Sequence, residues 1–194
     1  MRVLVLYGHP YKESFNHAIL GEVKAGLREG GHEVDVVDLY EIKFDPVMST
    51  NDFVLLQQGK VPPDVKAQQE KVTWAEGIIV IHPIWWENHP AIVKGWFDRV
   101  LSLGFAYIID ETGVRGLLKT RKAMFITTTG GSEKEVLEIG HGVNALKRIF
   151  KDMHAFEFCG IPDVQHENFY EVVTCSDDTR KEYLKRAREL ARNF

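Results

Sequence analysis

The sequence predicts an α/β protein with a doubly wound, five-stranded parallel sheet and helices on both faces. Short apolar runs alternate along the chain with segments of helical spacing. The runs at 2–7 and 78–81 are continuously apolar, which is typical of strands buried on both faces of a parallel sheet. This alternation extends through all 194 residues, so we expect one domain spanning residues 1–194.

The first part of the chain is predicted to contain three strands and four helices. The apolar runs that predict strands lie at 2–7, 32–38 and 78–81. Apolar spacing predicts helices at 15–27, 63–74 and 91–103, and one short helix is expected at 49–58, where the periodicity is poor. Gly30-Gly31 stops the first helix, and Pro62-Pro63 is placed to begin the helix at 63–74.

The second part is predicted to complete the sheet. Ala123–Thr129 is an apolar run that ends at a Gly-Gly pair, and a helix is expected between Lys134 and Lys151. His154–Phe158 is predicted as the fifth strand, and 168–173 as a short extended piece. Ser176 is placed to cap the last helix, which has one apolar face.

Composition excludes several classes of function. The formal net charge is −4 and no basic tract occurs, so nucleic acid is not an expected partner. The apolar run at the N-terminus is too short for a signal peptide or a membrane span. Cys159 and Cys175 form neither a CxxC nor a zinc pattern, and we interpret them as reduced thiols of a cytoplasmic protein.

Three strand-to-helix loops carry unusual chemistry, and the predicted topology brings them together. They cover residues 8–16, 82–89 and 127–141. Right-handed crossovers between parallel strands put every such loop at one edge of the sheet. Ligands bind at that edge, where the winding reverses direction. We therefore expect the three loops to form one site.

The first loop, GHPYKESFN, has the features of a phosphate site. A helix is expected to begin near Ser14, and its free backbone N–H groups and dipole attract an anion. Ser14, Asn16 and His9 could add side-chain donors. Two alternatives stay open: Ser14 as an ordinary N-cap and His9 as a packing residue. The loop matches neither GxxxxGKS/T nor GxGxxG, which argues against a P-loop and a dinucleotide-binding Rossmann site.

The second loop presents two adjacent tryptophans, Trp85 and Trp86, directly after a buried strand. Flat aromatic side chains at the end of a strand can cover a flat ligand. The alternative is that the indoles fill the core or a subunit contact. His82 and His89 do not have the spacing of helix-borne metal ligands, so no metal site is expected.

The third loop, TTTGGSEKEVLEIGH, supplies hydroxyl groups and a Gly-Gly pair. Glycine lets backbone approach a ring closely, although Gly-Gly also forms simple turns. His141 could donate to a ring carbonyl, or it could be an ordinary surface histidine. Together the three loops offer a phosphate site, an aromatic wall and a polar edge, which fits a flavin. No GxSxG, HExxH or Cys-His signature competes.

These motifs resemble those of the NAD(P)H:quinone oxidoreductases, the DT-diaphorase family with a flavodoxin-like fold. The segments that carry the resemblance are GHP…SFN at 8–16, HPIWW…PAIVKGWFDRVLSLGFAY at 82–107 and TTTGG…GHG at 127–142. The middle segment is long and unusual in composition, and the similarity spans nearly the whole chain. The chain looks closest to the short bacterial members, which include ancillary quinone reductases of potassium-efflux systems.

The resemblance implies a role for each matching residue. The segment that holds the flavin phosphate corresponds to His9, Ser14, Phe15 and Asn16. The loop along the isoalloxazine edge corresponds to Pro83, Ile84, Trp85 and Trp86, and the second flavin loop to Thr128, Thr129, Gly130 and Gly131. His141 matches a catalytic histidine near flavin O2 that stabilises charge during hydride transfer. Tyr107 matches a tyrosine of the substrate pocket, often offered to the partner subunit's site.

Three departures from the long members of the family bear on the mechanism and cofactor. Residues 132–140 contain no tyrosine to pair with His141, and Ile109 stands where a second tyrosine is expected. The chain ends at Phe194, without the long C-terminal extension. Contacts to an FAD adenosine are expected to be reduced, so the sequence favours FMN, with FAD as the alternative.

The resemblance implies an enzyme in which NAD(P)H reduces the flavin, leaves, and is replaced by a quinone or a related acceptor. One site used in turn implies two-electron, ping-pong kinetics. A homodimer is expected, with Trp96, Phe97, Phe105 and Tyr107 as candidate interface residues. Two alternatives remain: a flavodoxin-type electron carrier, and a flavin-binding regulatory subunit that attaches peripherally to a transporter.

Overall fold

The computed structural model describes residues 1–136 and 154–194. Its central sheet has five parallel strands in the order β2-β1-β3-β6-β7. Their bounds are β1 Arg2–Tyr7, β2 Glu33–Asp38, β3 Gly77–Pro83, β6 Lys122–Thr128 and β7 Asp163–Phe169. The chain places β2 on one side of β1 and β3 on the other, so the winding reverses between β1 and β3.

Helices cover both faces of this sheet, which confirms the predicted fold class. One face packs on α1 (Phe15–Glu29) and α6 (Asp177–Arg192). The other packs on α3 (Pro63–Trp74), α4 (Ala91–Val100) and the short α5 (His154–Phe158). The predicted short helix is α2 (Thr50–Gln57), which contains no buried residue.

Strand β3 shows why the apolar runs are continuous. It lies between β1 and β6 and is buried along its whole length. Ile78 and Val80 contact the α3–α4 side, whereas Ile79 and Ile81 contact the α1–α6 side. Since successive side chains point to opposite faces, a strand covered twice needs an apolar residue at every position.

The prediction for the fifth strand was wrong. Residues His154–Phe158 form α5, and the fifth strand is β7, Asp163–Phe169. A short apolar run does not distinguish a strand from a helix, and Phe156 is buried against the core from a helical position. β7 is an edge strand with a polar sequence, DVQHENF, so its hydrophobic signal is weak.

Two further differences concern the region between the sheet strands. A two-stranded antiparallel hairpin, β4 (Tyr107–Asp110) and β5 (Gly113–Gly116), was not predicted. Its turn signal is Asp110 Oδ1 accepting from Thr112 N, followed by Gly113 with φ of 108°. The helix expected between Lys134 and Lys151 lies mostly outside the described residues.

A buried arginine attaches the excursion that contains α2 to the rest of the molecule. Arg99 on α4 pairs with Asp52 on α2 at 2.8 Å and with Asp64 on α3 at 2.6 Å. Its Nη1 also donates to the carbonyl oxygen of Asp45 at 2.7 Å. The guanidinium lies 5.4 Å from the ring centroid of Phe44. Four contacts from one side chain therefore hold α2, α3 and the preceding loop together.

Candidate functional site

The three loops meet at the carboxyl edge of the sheet, and Thr128 at the end of β6 joins them. Its Oγ1 accepts a hydrogen bond of 2.8 Å from Asn16 Nδ2 in the first loop. Its carbonyl oxygen accepts one of 2.8 Å from the N–H of Ile84 in the second loop. The first two loops follow β1 and β3, between which the winding reverses. The arrangement is therefore a ligand-binding edge of the kind expected for this topology.

The start of α1 carries buried polar groups without partners. Ser14 is the N-cap, and its Oγ accepts from the N–H of His17 at 3.2 Å. Within the described residues, Asn16 Oδ1 and His17 Nδ1 are buried and have no hydrogen-bond partner. Buried polar atoms are nearly always paired, so these two atoms indicate that a polar ligand group completes this end of the helix. His17 was not among the predicted site residues.

The side-chain amide of Asn16 suits an anion in one of its two orientations. The Thr128 hydroxyl both donates and accepts, so it can pair with either end of the amide. Turning the amide over would place its NH2 group, a donor, where the unpaired Oδ1 lies. Amide orientation is assigned from such partners, and an anion at the helix start would favour this one. Asn16 and the helix start therefore fit a phosphate group.

The loop after β3 is a tight turn with an exposed tryptophan at its tip. Trp85 and Asn88 exchange two backbone hydrogen bonds of 3.0 Å, and the left-handed positions between them are Trp86 and Glu87, with φ of 50° and 60°. Trp86 is 99% exposed and Trp85 is 42% exposed. The alternative that both indoles fill the core is therefore wrong. Trp86 offers its ring to whatever binds above this edge.

His9 in the first loop lies against Trp85 in the second. Their ring centroids are 5.7 Å apart with the planes inclined at 62°, an edge-to-face contact. His9 Nδ1 accepts from the N–H of Tyr11 at 3.1 Å, so the neutral ring carries its proton on Nε2. Burial lowers the pKa of His9. His9 is thus a neutral hydrogen-bond donor beside the aromatic loop.

The third loop combines buried hydroxyl groups with an open glycine. Thr129 Oγ1 accepts from Asn168 Nδ2 of β7 at 3.1 Å. Among the described residues, a methyl group at Gly130 would meet only Val173, at 3.9 Å, so packing against them does not require glycine there. At Gly131 it would lie 3.3 Å from Val136, a tight contact. The space above Gly130 is consistent with backbone that must lie close to a ligand.

A pair of histidines, of which His82 is buried and His89 is partly buried, lies beneath the aromatic loop. His82 Nε2 is 3.0 Å from His89 Nδ1, and His166 of β7 lies nearby. Burial lowers the pKa of His82 to about 3 and that of His89 to about 4. Burial and the neighbouring His82 lower the pKa of His166 to about 3. The rings are therefore neutral at neutral pH. The predicted site did not include them, because their grouping appears only when β7 is placed beside β6.

The remaining predicted residues have different outcomes. His141 lies outside the described residues. Tyr107 lines a cavity of about 360 Å³ that also contacts His89, at the end of the aromatic loop. Among the candidate interface residues, Trp96 and Phe97 are buried within the chain itself, so that assignment was wrong for both. They were mistaken for surface residues because α4 has an apolar face that packs on the sheet.

The described part of the chain shows neither a metal-binding cluster nor a membrane-spanning helix. Within residues 1–136 and 154–194, no three His, Cys, Asp or Glu side chains are arranged to hold a metal ion. None of the helices described there is long and apolar enough to cross a bilayer.

Comparison with known proteins agrees with this geometry. A family profile described as a flavodoxin-like fold matches residues 1–193. A Haemophilus influenzae protein named uncharacterized NAD(P)H oxidoreductase is 31% identical over 96% of this chain and 92% of its own length. NAD(P)H dehydrogenase (quinone) 1 of Cavia porcellus is 32% identical, covering 94% of this chain and 73% of that protein.

A solved structure supports the same relationship. The NAD(P)H:quinone oxidoreductase from Methanothermobacter marburgensis has a TM-score of 0.87 and 30% sequence identity, with 100% of this chain and 95% of that chain covered. The family match covers residues 1–193 and therefore all three loops as well as the sheet. The chain therefore belongs to the NAD(P)H:quinone oxidoreductase family of flavodoxin-like fold.

Proposed function

We propose that this protein is a flavin-dependent oxidoreductase that takes hydride from NAD(P)H and passes two electrons to a quinone or a related acceptor. The observation that carries the proposal is the junction at Thr128, which joins the phosphate-type loop and the aromatic loop at the glycine loop. A bound flavin would supply the hydride acceptor and donor. The chain's own residues bind it, orient it and shield it from water.

The flavin phosphate is assigned to the start of α1. Ser14 and Asn16 would donate to it, and the first-turn N–H groups and the helix dipole would add to the attraction. His9, a neutral donor at Nε2, is the third candidate. Phe15, which contacts Tyr183 at 6.5 Å between ring centroids, fixes the direction of the helix start. All these donors are positioned before the ligand arrives.

The flat ring is assigned to the edge between the other two loops. Pro83, Ile84, Trp85 and Trp86 would run along one edge, and Thr128, Thr129, Gly130 and Gly131 along the other. The N–H groups of Ile84 and Trp85 are already bonded within the protein, to Thr128 and Asn88. The turn-tip N–H groups of Trp86 and Glu87 take no part in those bonds, so we assign the ring contact to them.

On the basis of the family resemblance, we assign to His141 the stabilisation of the negative charge that develops on the reduced flavin ring. A donor aimed at a developing anion is worth about tenfold to a thousandfold in rate. If Trp86 covers one face of the bound flavin ring, nicotinamide and quinone would occupy the other face in turn. This requires ping-pong kinetics.

FMN is favoured over FAD, and a cytoplasmic homodimer is the expected form. Ile109 and Val114, which pair across the hairpin and are 62% and 51% exposed, support a dimer contact there.

The proposal is tested with the purified protein. Its absorption spectrum, followed by identification of the flavin released on denaturation, should give FMN. Initial rates measured while NADH or NADPH and a quinone are varied should give parallel double-reciprocal lines. Mass measurement in solution should give twice the chain mass.

Other results would redirect the proposal. Intersecting double-reciprocal lines would require a ternary complex and exclude alternating use of one surface. A bound flavin with no NAD(P)H oxidation would favour the regulatory role. Purified protein that neither contains flavin nor binds added FMN or FAD would overturn the assignment.

A further inference from the structure

A cavity of about 360 Å³ lies between α4, the β4–β5 hairpin and the end of the aromatic loop. Phe97, Leu101, Phe125 and Phe158 form apolar parts of its walls, and Asn88, His89 and Tyr107 add polar groups. The volume falls within the range of small-molecule sites, which combine apolar walls with a few placed polar groups. The polar groups that line it therefore decide what it can bind.

The charged groups at this cavity neutralise each other. Lys94 and Asp98 both line it, and they form an ion pair one helical turn apart on α4. Both side chains are about half exposed, so they remain solvated. Among the described residues that line the cavity, every charge is paired, so an uncharged ligand is favoured.

The protonation of His89, which also lines the cavity, is determined by a chain of hydrogen bonds behind it. His82 Nδ1 is 2.8 Å from the carbonyl oxygen of Pro83, which can only accept, so this nitrogen carries the proton. His82 is completely buried and neutral, so its Nε2 is an acceptor. His89 Nδ1, 3.0 Å away, must then be the donor.

It follows that the other ring nitrogen of His89 is a bare acceptor. Its Nδ1 is bonded to His82, and His89 lines the cavity, so we assign Nε2 to a ligand there. The ring is held in this position by Phe97 and Phe125, whose centroids lie 5.5 Å and 6.2 Å from its own. A histidine normally adopts either tautomer as its ligand requires. Here the backbone carbonyl of Pro83 imposes one of them through two rings.

We propose that this cavity binds an uncharged planar ring bearing an N–H or O–H donor, and that His89 Nε2 accepts the hydrogen bond of that donor. The proposal rests on the proposed function and names the ligand chemistry of its substrate pocket, since Tyr107 lines the same cavity. Two sources would present this chemistry: the carboxamide of nicotinamide and the hydroxyl of a hydroquinone or hydroxyquinone.

The same geometry disfavours a simple quinone at this position. A quinone carbonyl has only lone pairs to offer, and these would face the lone pair of His89 Nε2. An acceptor facing an acceptor leaves both without a partner in a partly desolvated place. A ring hydroxyl reverses the sign of the interaction. His89 is thus a specificity-determining residue that selects for donor-bearing rings.

The experiment compares matched ligands that differ only in the donor. With the flavin-loaded protein, dissociation constants are measured for nicotinamide against 3-acetylpyridine and for 1-naphthol against 1-methoxynaphthalene. Wild type should bind the donor-bearing member of one or both pairs about three- to tenfold more tightly, the usual net value of one hydrogen bond. A preference confined to one pair identifies the source.

Two variants assign the preference to His89. His89→Phe keeps a ring of similar size but has no acceptor, and it should bind both members of each pair equally. His89→Gln keeps an acceptor at that end and should retain part of the preference. Equal affinities in wild type, or a preference unchanged in His89→Phe, would overturn the proposal.

The tautomer gives a second test that needs no variant. Nitrogen-15 spectra of the wild-type histidine rings should show the proton of His89 on Nδ1, with Nε2 shifting when 1-naphthol or nicotinamide is added. A proton found on Nε2 would refute the proposal even if the variants failed to fold. If NAD(P)H reduces the flavin but no preference is found, only the role of His89 is wrong. If the preference is found without NAD(P)H oxidation, the proposed function is wrong and the binding site stands.

Discussion

The segments after β1 and after β3 leave the same edge of the sheet but present opposite kinds of chemistry. The β1–α1 segment holds small polar groups at the start of a helix. Asn16 and His17 each have one buried polar atom without a partner among the residues that the structure describes. The β3–α4 segment holds large rings, with Trp86 exposed at the tip and His82 buried at the base. Thr128 is bonded to both segments.

This difference indicates how a ligand with a charged end and a flat end would be held. Polar donors must be fixed before binding, because each unpaired donor is costly and its geometry is narrow. A flat ring is held by contact over its surface, which does not depend on direction as a hydrogen bond does. The exposed indole on the tight turn provides such a surface. We therefore expect substitutions after β1 to change the affinity for flavin, and substitutions after β3 to change the choice of partner.

The largest effect is expected from replacing Ser14 and Asn16 together by alanine. A hydrogen bond to a charged group contributes about 1.5–3 kcal/mol, so losing two should weaken flavin binding by about a hundredfold or more. Flavin fluorescence during titration of the apoprotein measures the dissociation constant. A double variant that binds flavin with wild-type affinity would remove the phosphate site from the start of α1.

Ser176→Ala is the matched control for the helix cap. Ser176 caps α6 as Ser14 caps α1, accepting from the N–H of Thr179 at 3.1 Å. Each loss of a cap should cost about 1 kcal/mol of stability. Only the substitutions at the start of α1 should also cost flavin affinity. An equal loss of flavin affinity in Ser176→Ala would mean that helix stability, not phosphate contact, is being measured.

The next largest effect is a dependence of stability on pH that comes from the β3–α4 segment. Folding lowers the pKa values of His82 and His89 from 6.5 to about 3 and about 4. Below pH 6.5 the unfolded chain therefore binds protons that the folded chain does not. The free energy of unfolding should therefore decrease as the pH is lowered from about 6.5 to 4, by up to roughly 1.4 kcal/mol per pH unit for each histidine.

Urea unfolding at pH 7.0, 5.5 and 4.5 measures this loss, and His89→Leu provides the comparison. The variant should lose less stability over that range, since one group that takes up a proton on unfolding is gone. Identical pH profiles would show that folding does not lower the pKa of His89.

A smaller effect is expected where the two segments contact each other. A methyl group at Gly8 would overlap with Cγ2 of Val93 on α4. Gly8→Ala should therefore destabilise the protein by about 1–3 kcal/mol, as overpacking does. Combining it with Val93→Ala should recover part of the loss, which urea unfolding in a double-mutant cycle would detect. If the losses of unfolding free energy in the two single variants simply add in the double variant, Gly8 and Val93 are not in steric contact.

The smallest effect on stability is expected from Trp86→Ala. The indole is 99% exposed, so unfolding should change by no more than about 0.5 kcal/mol. The KM for the quinone should rise several-fold, because the covering ring is lost. Trp85→Ala should differ, removing the edge contact with His9 at a cost of about 0.5–1.5 kcal/mol. Steady-state kinetics and urea unfolding distinguish the two variants. Equal effects of Trp86→Ala and Trp85→Ala on KM and on stability would mean that the two tryptophans do not have different roles.

Much of the fold could be predicted from the sequence because both faces of the sheet are covered. Strands β1 and β3 were identified from continuous apolar runs, which a doubly covered strand requires. The segments HEVDVVD and AMFITTT identified β2 and β6. Strand β7 was not predicted, because it is an edge strand with a polar sequence whose side chains bond residues at the end of β6. Asn168 of β7 bonds Thr129, and Thr127 bonds both Asn168 and His166.

For the site, the sequence predicted the loops but not the contacts that organise them. The grouping of Ser14, Asn16 and Thr128 follows from topology, since parallel strands bring their carboxyl ends together. The unpaired nitrogen of His17 and the pairing of His82 with His89 depend on side-chain direction, which no spacing rule provides. The misplaced interface residues, Trp96 and Phe97, show the same limit, because an apolar helix face suits a core as well as a partner.

The attachment of α2 through Arg99 has a consequence for motion. α2 contributes no buried side chain, whereas β3 is buried along its length, so the two should open by different routes. Backbone amides of 50–57 are expected to exchange with solvent deuterium as one unit, at a fraction of the free energy of global unfolding. Those of 77–83 should exchange only when the whole molecule unfolds. In that case α2 is a segment that opens locally, and the ion pair with the guanidinium group of Arg99 is what holds it closed.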